Sequence, residues 1–158
     1  MAFIFVTSGT TVPDPGDWPG SGALEAIGSG GAGRDANSSA QRSVGGSGAA
    51  YSKTNSLTFT VGAGGITVSI GAQATTNGAN GADVWASTTG VAPLLTSTGV
   101  LAKGGLGGLV ANTTVAGGAA AVGVGDTKTS GGATTTTSGV GAGSGGGGSG
   151  GSKGNGGA

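Results

Sequence analysis

Apolar residues alternate with threonine and serine most cleanly between Leu57 and Ile70. Leu57, Phe59 and Val61 take every second position around Thr58 and Thr60, and Ile66, Val68 and Ile70 repeat the pattern around Thr67 and Ser69. A period of two is that of a strand with one buried face. The intervening Gly62-Ala63-Gly64-Gly65 suits a short hairpin loop. Pairing Val61 with Ile66 sets Phe59 opposite Val68 and Leu57 opposite Ile70, which puts every apolar side chain on one face. The pattern predicts a hairpin of Ser56–Val61 and Ile66–Ile70 with its other face wet.

Weaker patterns flank this hairpin. Ala2–Thr7 sets Phe3 and Phe5 against Ile4 and Val6, which predicts a strand buried on both sides. The stretch Val12 to Gly20, VPDPGDWPG, is dense in turn residues and breaks any regular element. Ala23 to Ile27, Asp83 to Ala86 and Gly99 to Lys103 are shorter strand candidates. No segment has a helical period, so helix content is expected to be close to nil. With so few large side chains present, Trp18 and Trp85 are expected as core plugs.

Composition changes the picture in the second half. The chain has 41 glycines in 158 residues, and from Gly139 to Ala158 it reads GVGAGSGGGGSGGSKGNGGA. Glycine pairs recur from Gly104 onward, at Gly107-Gly108, Gly117-Gly118 and Gly131-Gly132. Such content is typical of low complexity. Disorder, however, usually goes with charge imbalance, whereas six basic and six acidic residues cancel here and mean hydropathy is +0.16. A folded but lean protein follows: a β-rich domain over 1–103 with glycine-rich loops, then an extended, glycine-rich 104–158 whose C-terminus frays. Alanine and valine bury little area while each ordered glycine costs much backbone entropy. An oligomer or a larger assembly is therefore expected.

The chemistry-bearing residue types are sparse. With no cysteine and no histidine, thiolate chemistry and a general base of ordinary pKa near neutrality are missing. The expectation is a protein that is not an enzyme, with no catalytic, cofactor-binding or metal-binding residues. Gly28-x-Gly30-x-x-Gly33 mimics a dinucleotide fingerprint, but a Ser/Asn/Gly loop follows it and no acidic residue stands about 20 positions on. Gly150-Gly-Ser152-Lys-Gly154 has the spacing of a nucleophile elbow without a base or a preceding strand. The acidic residues Asp14, Asp17, Glu25, Asp35, Asp83 and Asp126 form no calcium-loop spacing. Asp14 and Asp17 beside Trp18 read chiefly as turn formers, with a carbohydrate or calcium pocket as the functional alternative. Asn37-Ser-Ser39 and Asn112-Thr-Thr114 are formal glycosylation sequons. The start MAFIFVTSG lacks the features of a signal peptide, no apolar run approaches the ~20 residues of a membrane span, and no basic patch points to nucleic acid. The polar stretches Arg34 to Arg42 and Ala72 to Asn80 are the candidate contact loops.

Several motifs in series carry a resemblance. Phe5-Val-Thr-Ser-Gly-Thr10, Val12-Pro-Asp-Pro-Gly-Asp-Trp18, Leu24-Glu-Ala-Ile-Gly28, Ala50-Tyr-Ser-Lys53, Val61-Gly-Ala-Gly-Gly65, Leu101-Ala-Lys-Gly-Gly105 and Gly125-Asp-Thr-Lys-Thr-Ser-Gly-Gly132 follow one another over nearly the whole chain. In kind and order they resemble the glycine-rich domain of tailed-phage virion proteins. The resemblance implies β-strands whose glycine-rich excursions pack as a bundle of polyglycine II helices, with three residues per turn and every hydrogen bond made to a neighbour.

The expected fold is therefore all-β. It is a small sandwich or jelly-roll-like strand core with a polyglycine II-type bundle and essentially no α-helix. The resemblance implies a bacteriophage virion structural protein on the particle surface, a tail fibre, spike or tip component with adhesin character. The alternatives are a capsid decoration or minor head protein and a non-viral glycine-rich surface or matrix protein. Expected partners are copies of itself, as a trimer, other virion proteins and a host cell-surface receptor, without nucleic acid or membrane insertion.

Overall fold

The structure is a computed structural model that describes residues 4–14, 16–35, 43–62, 65–110, 113–135 and 146–158. Strands β1 (Ser21–Ile27), β2 (Tyr51–Thr58) and β6 (Thr127–Thr129) form one antiparallel sheet in the order β1-β2-β6. Strands β3 (Thr67–Ile70), β4 (Val84–Ser87) and β5 (Gly99–Ala102) form a second in the order β3-β4-β5. The domain is all-β, with no α-helix among the described residues and a single 3-10 turn, Ala120–Val122, before β6.

One core serves both sheets. Ala26 of β1, Leu57 of β2, Val68 of β3, Ala86 of β4 and Val100 and Ala102 of β5 bury together with Val12, Phe59 and Ile66. Alternation in β1 explains its share, since Leu24 and Ala26 turn inward while Ser21, Glu25 and Ile27 turn out. Each fully buried large aliphatic or aromatic side chain contributes about 1.5–3 kcal/mol. A buried hydroxyl also joins the sheets, Thr54 Oγ1 of β2 donating to the Gly99 carbonyl of β5 at 2.9 Å. Trp18 closes the cluster from the side, its indole N–H donating to the Phe59 carbonyl at 2.8 Å and its ring centred 4.6 Å from that of Phe59.

The predicted hairpin does not form. β2 pairs with β1 and β6, whereas β3 pairs with β4, so the two halves of the alternating pattern lie in different sheets. A tight turn does follow Thr60, with Ile66 N–H donating to Thr60 O and Gly65 N–H to Gly62 O. The bonds that a hairpin ladder would need are taken by the N-terminal segment. Val68 N–H bonds Thr10 O, Gly62 N–H bonds Val12 O, Phe59 N–H bonds Gly20 O, and Thr11 bridges Thr67. At Gly62, φ is +81°, which lets the chain swing from one sheet to the other. Leu57, Phe59, Ile66 and Val68 still share one core, because residues of both sheets bury in the same cluster.

Two further expectations change. Ile4–Thr7 is not a strand; Ile4 and Val6 pack on the core and Phe5 is 86% exposed, so the segment is covered on one side only. Residues 1–3 lie outside the described residues. Trp85 is half-buried and stands outside the core cluster. In β4 it alternates with Val84 and Ala86, which face the core, so the pleat turns Trp85 to the other side, between Ser69 and Leu101.

Most strands run on into glycine-rich segments that also bond laterally. Donors Gly28, Gly31 and Arg34 reach the carbonyls of Ala50, Ser47 and Val44, a step of three residues on each side. Val44, Ser47 and Ala50 in turn donate to Leu109, Leu106 and Lys103, again in threes. Gly105 and Gly108 donate to Ser29 and Ala32. Segment 44–50 exchanges bonds with segments 28–34, 103–109, 115–118, 130–135 and 146–150, five neighbours where a β-strand has at most two. Bonding continues through Gly132 and Gly148 to the carbonyl of Gly157. Residues on either side of position 103 therefore share one ladder.

Absent side chains make this spacing possible. A Cβ at Gly28, Gly31, Gly48, Gly105 or Gly131 would fall within 3.0 Å of a carbonyl of a neighbouring segment. Where side chains enter, they are small or stand in for backbone. Thr134 Oγ1 accepts from Val115 N–H at 3.1 Å while Thr134 N–H bonds Val115 O. Asp83 Oδ1 and Asn80 Oδ1, three residues apart, accept from Gly104 and Gly107, also three apart. Lys103 pairs with the same Asp83 carboxylate, so one ion pair pins the start of segment 103–109.

Candidate functional site

Strand direction defines the two ends of this ladder. Segment 28–35 leaves β1, segment 44–50 returns to β2, segment 77–83 enters β4 and segment 103–109 leaves β5. Asp35, Val44, Asn77 and Leu109 therefore lie together at the end away from the sheets. Here a polar cleft of about 540 Å³ opens, lined by Arg34, Asp35, Ser43, Gln73, Thr75 and Asn77 among others. Asp35 and Asn77 fasten its walls, the Asn77 carbonyl oxygen accepting from Asp35 N–H at 2.8 Å and its amide donating to Asp35 Oδ2 at 3.3 Å. The exposed Arg34 side chain folds across Gly78, and no acidic group among the described residues pairs with it.

The structure thus brings together the described parts of the two candidate contact loops. Arg34 and Asp35 face Ala72 to Asn80, while residues 36–42, Arg42 included, lie outside the described residues. Asn37 and Asn112, the sequon asparagines, lie outside them as well. The arrangement suits polar recognition by a guanidinium, carboxamides and hydroxyls.

The decoy motifs are absorbed by the backbone. Gly28 and Gly31 N–H groups, which a dinucleotide fingerprint would aim at phosphates, are spent on Ala50 O and Ser47 O, and no helix follows among the described residues. Ser152 and Lys153 form an exposed turn closed by reciprocal bonds between Gly151 and Gly154. Among the described residues no three acidic side chains converge on a possible metal position. Asp14 lines a separate concavity with Trp18, whereas Asp17 does not.

One titratable cluster was not legible in the sequence. Lys53 Nζ lies 2.9 Å from Glu25 Oε1 across the β1–β2 ladder, and the hydrogen bond from Lys53 holds the Glu25 carboxyl below its usual value. Both side chains are substantially exposed, so the pair adds little stability. Next to it, the Tyr51 hydroxyl is buried without a hydrogen-bond partner, as is Ser52 Oγ. Burial first, then the nearby Glu25 carboxylate, pushes the Tyr51 phenol up to about 12 from 10.0. A raised phenol pKa favours the folded state fully below the unfolded value and loses that contribution as pH climbs from 10.0 to about 12. Thermal melts should accordingly show alkaline destabilisation over this window. Tyr51→Phe should flatten it, since the variant lacks the phenol that titrates. An identical alkaline profile in the variant would assign the transition elsewhere.

Comparison with protein-family models, with curated proteins and with solved structures gives no match for this chain.

Proposed function

We propose that this chain is a non-enzymatic structural protein of a tailed-phage particle. In this reading it is a tail fibre, spike or tip component that carries recognition loops on a rigid stem. The observation that carries the reading is the five-neighbour, three-residue bonding of segment 44–50. Three residues per turn with all bonds made outward is the geometry of a polyglycine II helix, and the two sheets facing one core read as a small β-sandwich that anchors the bundle. A bundle whose segments bond backbone to backbone, with only a few small side chains such as Val44, Ser47 and Thr134 inside it, is stiff. Its outer end is thereby freed to vary.

The Arg34–Asn77 cleft at that end supplies the contact surface. Presented in several copies, as in a trimer on a particle, weak polar contacts to a host-surface partner add through effective concentration. The second reading, a capsid decoration or minor head protein, draws on the loop between β4 and β5. There Leu94 is 88% exposed with Val91 and Leu95 beside it, an apolar surface suited to a neighbouring virion protein.

Adsorption separates the two. Purified oligomer should bind host cells and outcompete intact particles, isolated monomer should bind weakly, and particles lacking the protein should adsorb poorly. Normal adsorption by depleted particles, with no cell binding by the oligomer, would discard the adhesin reading in favour of decoration.

A further inference from the structure

A second concavity, of about 370 Å³, lies where the N-terminal turn meets the end of β2 and shares no residue with the Arg34 cleft. Asp14, Trp18, Phe59, Thr60 and Val61 line it, with Gly16 and Gly20 at its rim. Trp18 is half-buried and held on three sides. Its N–H bonds Phe59 O at 2.8 Å, its ring leans on Phe59, and its far edge rests on Gly22, where a Cβ would lie 2.6 Å from the ring. A ring already fixed loses little freedom when a ligand stacks on it.

The polar groups beside the indole are partly spent and partly free. Asp14 Oδ1 accepts from Gly16 N–H at 2.8 Å. Asp14 Oδ2 and the Thr60 hydroxyl, both on exposed residues, have no partner among the described residues. Among the described residues, no atom beyond the chain neighbours stands within 4 Å of where a Cβ would project from Gly16 or Gly20, so neither glycine faces a packed wall. The cleft therefore offers one fixed aromatic surface, one carboxylate oxygen and one hydroxyl around an open floor.

We propose that this cleft is a binding subsite for a single neutral hexopyranose unit of a glycan. The apolar C–H face of the sugar stacks on the negative face of the Trp18 π-system. Adjacent sugar hydroxyls donate to Asp14 Oδ2, as charge-assisted bonds, and exchange a bond with Thr60. The volume lies near the lower end of the ~300–1,000 Å³ of small-molecule sites, which suits one ring. A cationic ligand fits less well, because Phe59 is only 7% exposed and leaves Trp18 as the one accessible aromatic wall instead of a cage. The inference does not depend on the phage reading, since it rests on Trp18, Asp14 and Thr60 alone.

The test uses the full chain carrying Trp85→Phe, so that Trp18 is the sole fluorophore. Glucose, galactose, mannose and N-acetylglucosamine are titrated in turn, and choline serves as the cationic probe. At least one sugar should give a saturable change in Trp18 emission in the millimolar range. Asp14→Asn keeps the oxygen that accepts from Gly16 but removes the charge, and should weaken that binding about tenfold with the melting temperature unchanged. Absence of a saturable response to all four sugars, or equal affinity in Asp14→Asn, overturns the proposal. A response to choline alone overturns it too and makes the cleft a cation site.

Discussion

Gly48→Ala is expected to cost about 4 kcal/mol or more, or to prevent folding altogether, while Gly151→Ala melts within about 0.5 kcal/mol of the parent. Gly48 lies in the segment with five bonded neighbours, its N–H bonding Gly132 O and its own carbonyl accepting from Gly118. A Cβ there would land on the Gly148 carbonyl, and Gly148 is bonded to both Gly132 and Gly157. The added methyl can be relieved only by moving backbone that is itself fastened, unlike a core side chain that can change rotamer. Gly151, by contrast, has nothing within 4 Å of its Cβ direction. Gly107→Val and Gly118→Val should likewise destabilise more than Thr135→Val. The added Cβ meets the Gly78 carbonyl in the first and Ala50 N at 2.6 Å in the second, whereas Thr135 is exposed. Similar denaturant midpoints for Gly48→Ala and Gly151→Ala would remove the basis for a close-packed glycine bundle.

Phe59→Ala should lose about 3–5 kcal/mol, a large share of the 5–15 kcal/mol typical of a domain. Phe59 is 7% exposed, contacts the Trp18 ring and sits beside the point where the chain crosses between sheets. Truncation opens a cavity and strips Trp18 of its stacking partner. Tryptophan fluorescence should therefore shift toward that of exposed indole before global unfolding. Thr58→Ala next to it, on an exposed position of β2, should be nearly silent. Equal melting curves for the two variants would mean that Phe59 is not a core residue.

Strand locations were largely legible because alternation is local. Ala23–Ile27, Asp83–Ala86 and Gly99–Lys103 sit on or within one or two residues of β1, β4 and β5. β6 was not legible, since Thr127, Lys128 and Thr129 carry no apolar alternation and form a strand only through backbone pairing with Tyr51–Lys53. The candidate contact surface was half legible. Polar composition marked Arg34 and Ala72–Asn80 as loops, but it is tertiary bonds, from Ala32 to Ala79, from Gly78 to Gly33 and between Asp35 and Asn77, that bring them together. Asp14 and Trp18 stood close in sequence, yet Thr60 joins them through a contact that no spacing announces.

The amino-acid sequence alone determined an all-β chain, the share of its core made by Leu57, Phe59, Ile66 and Val68, and the absence of thiol and imidazole groups. These follow from residue identity and from a two-residue period that each strand carries within itself. Partner choice belonged to the tertiary structure. Leu57–Val61 and Ile66–Ile70 have matching patterns, but Thr10, Val12 and Gly20 compete for the same backbone donors and draw the two runs into separate sheets. The fate of each glycine was decided there as well. Gly48 and Gly151 are identical residues in similar surroundings of sequence, and only the approach of the Gly148 carbonyl makes one indispensable. A residue without a side chain leaves no local trace of what will pack against it.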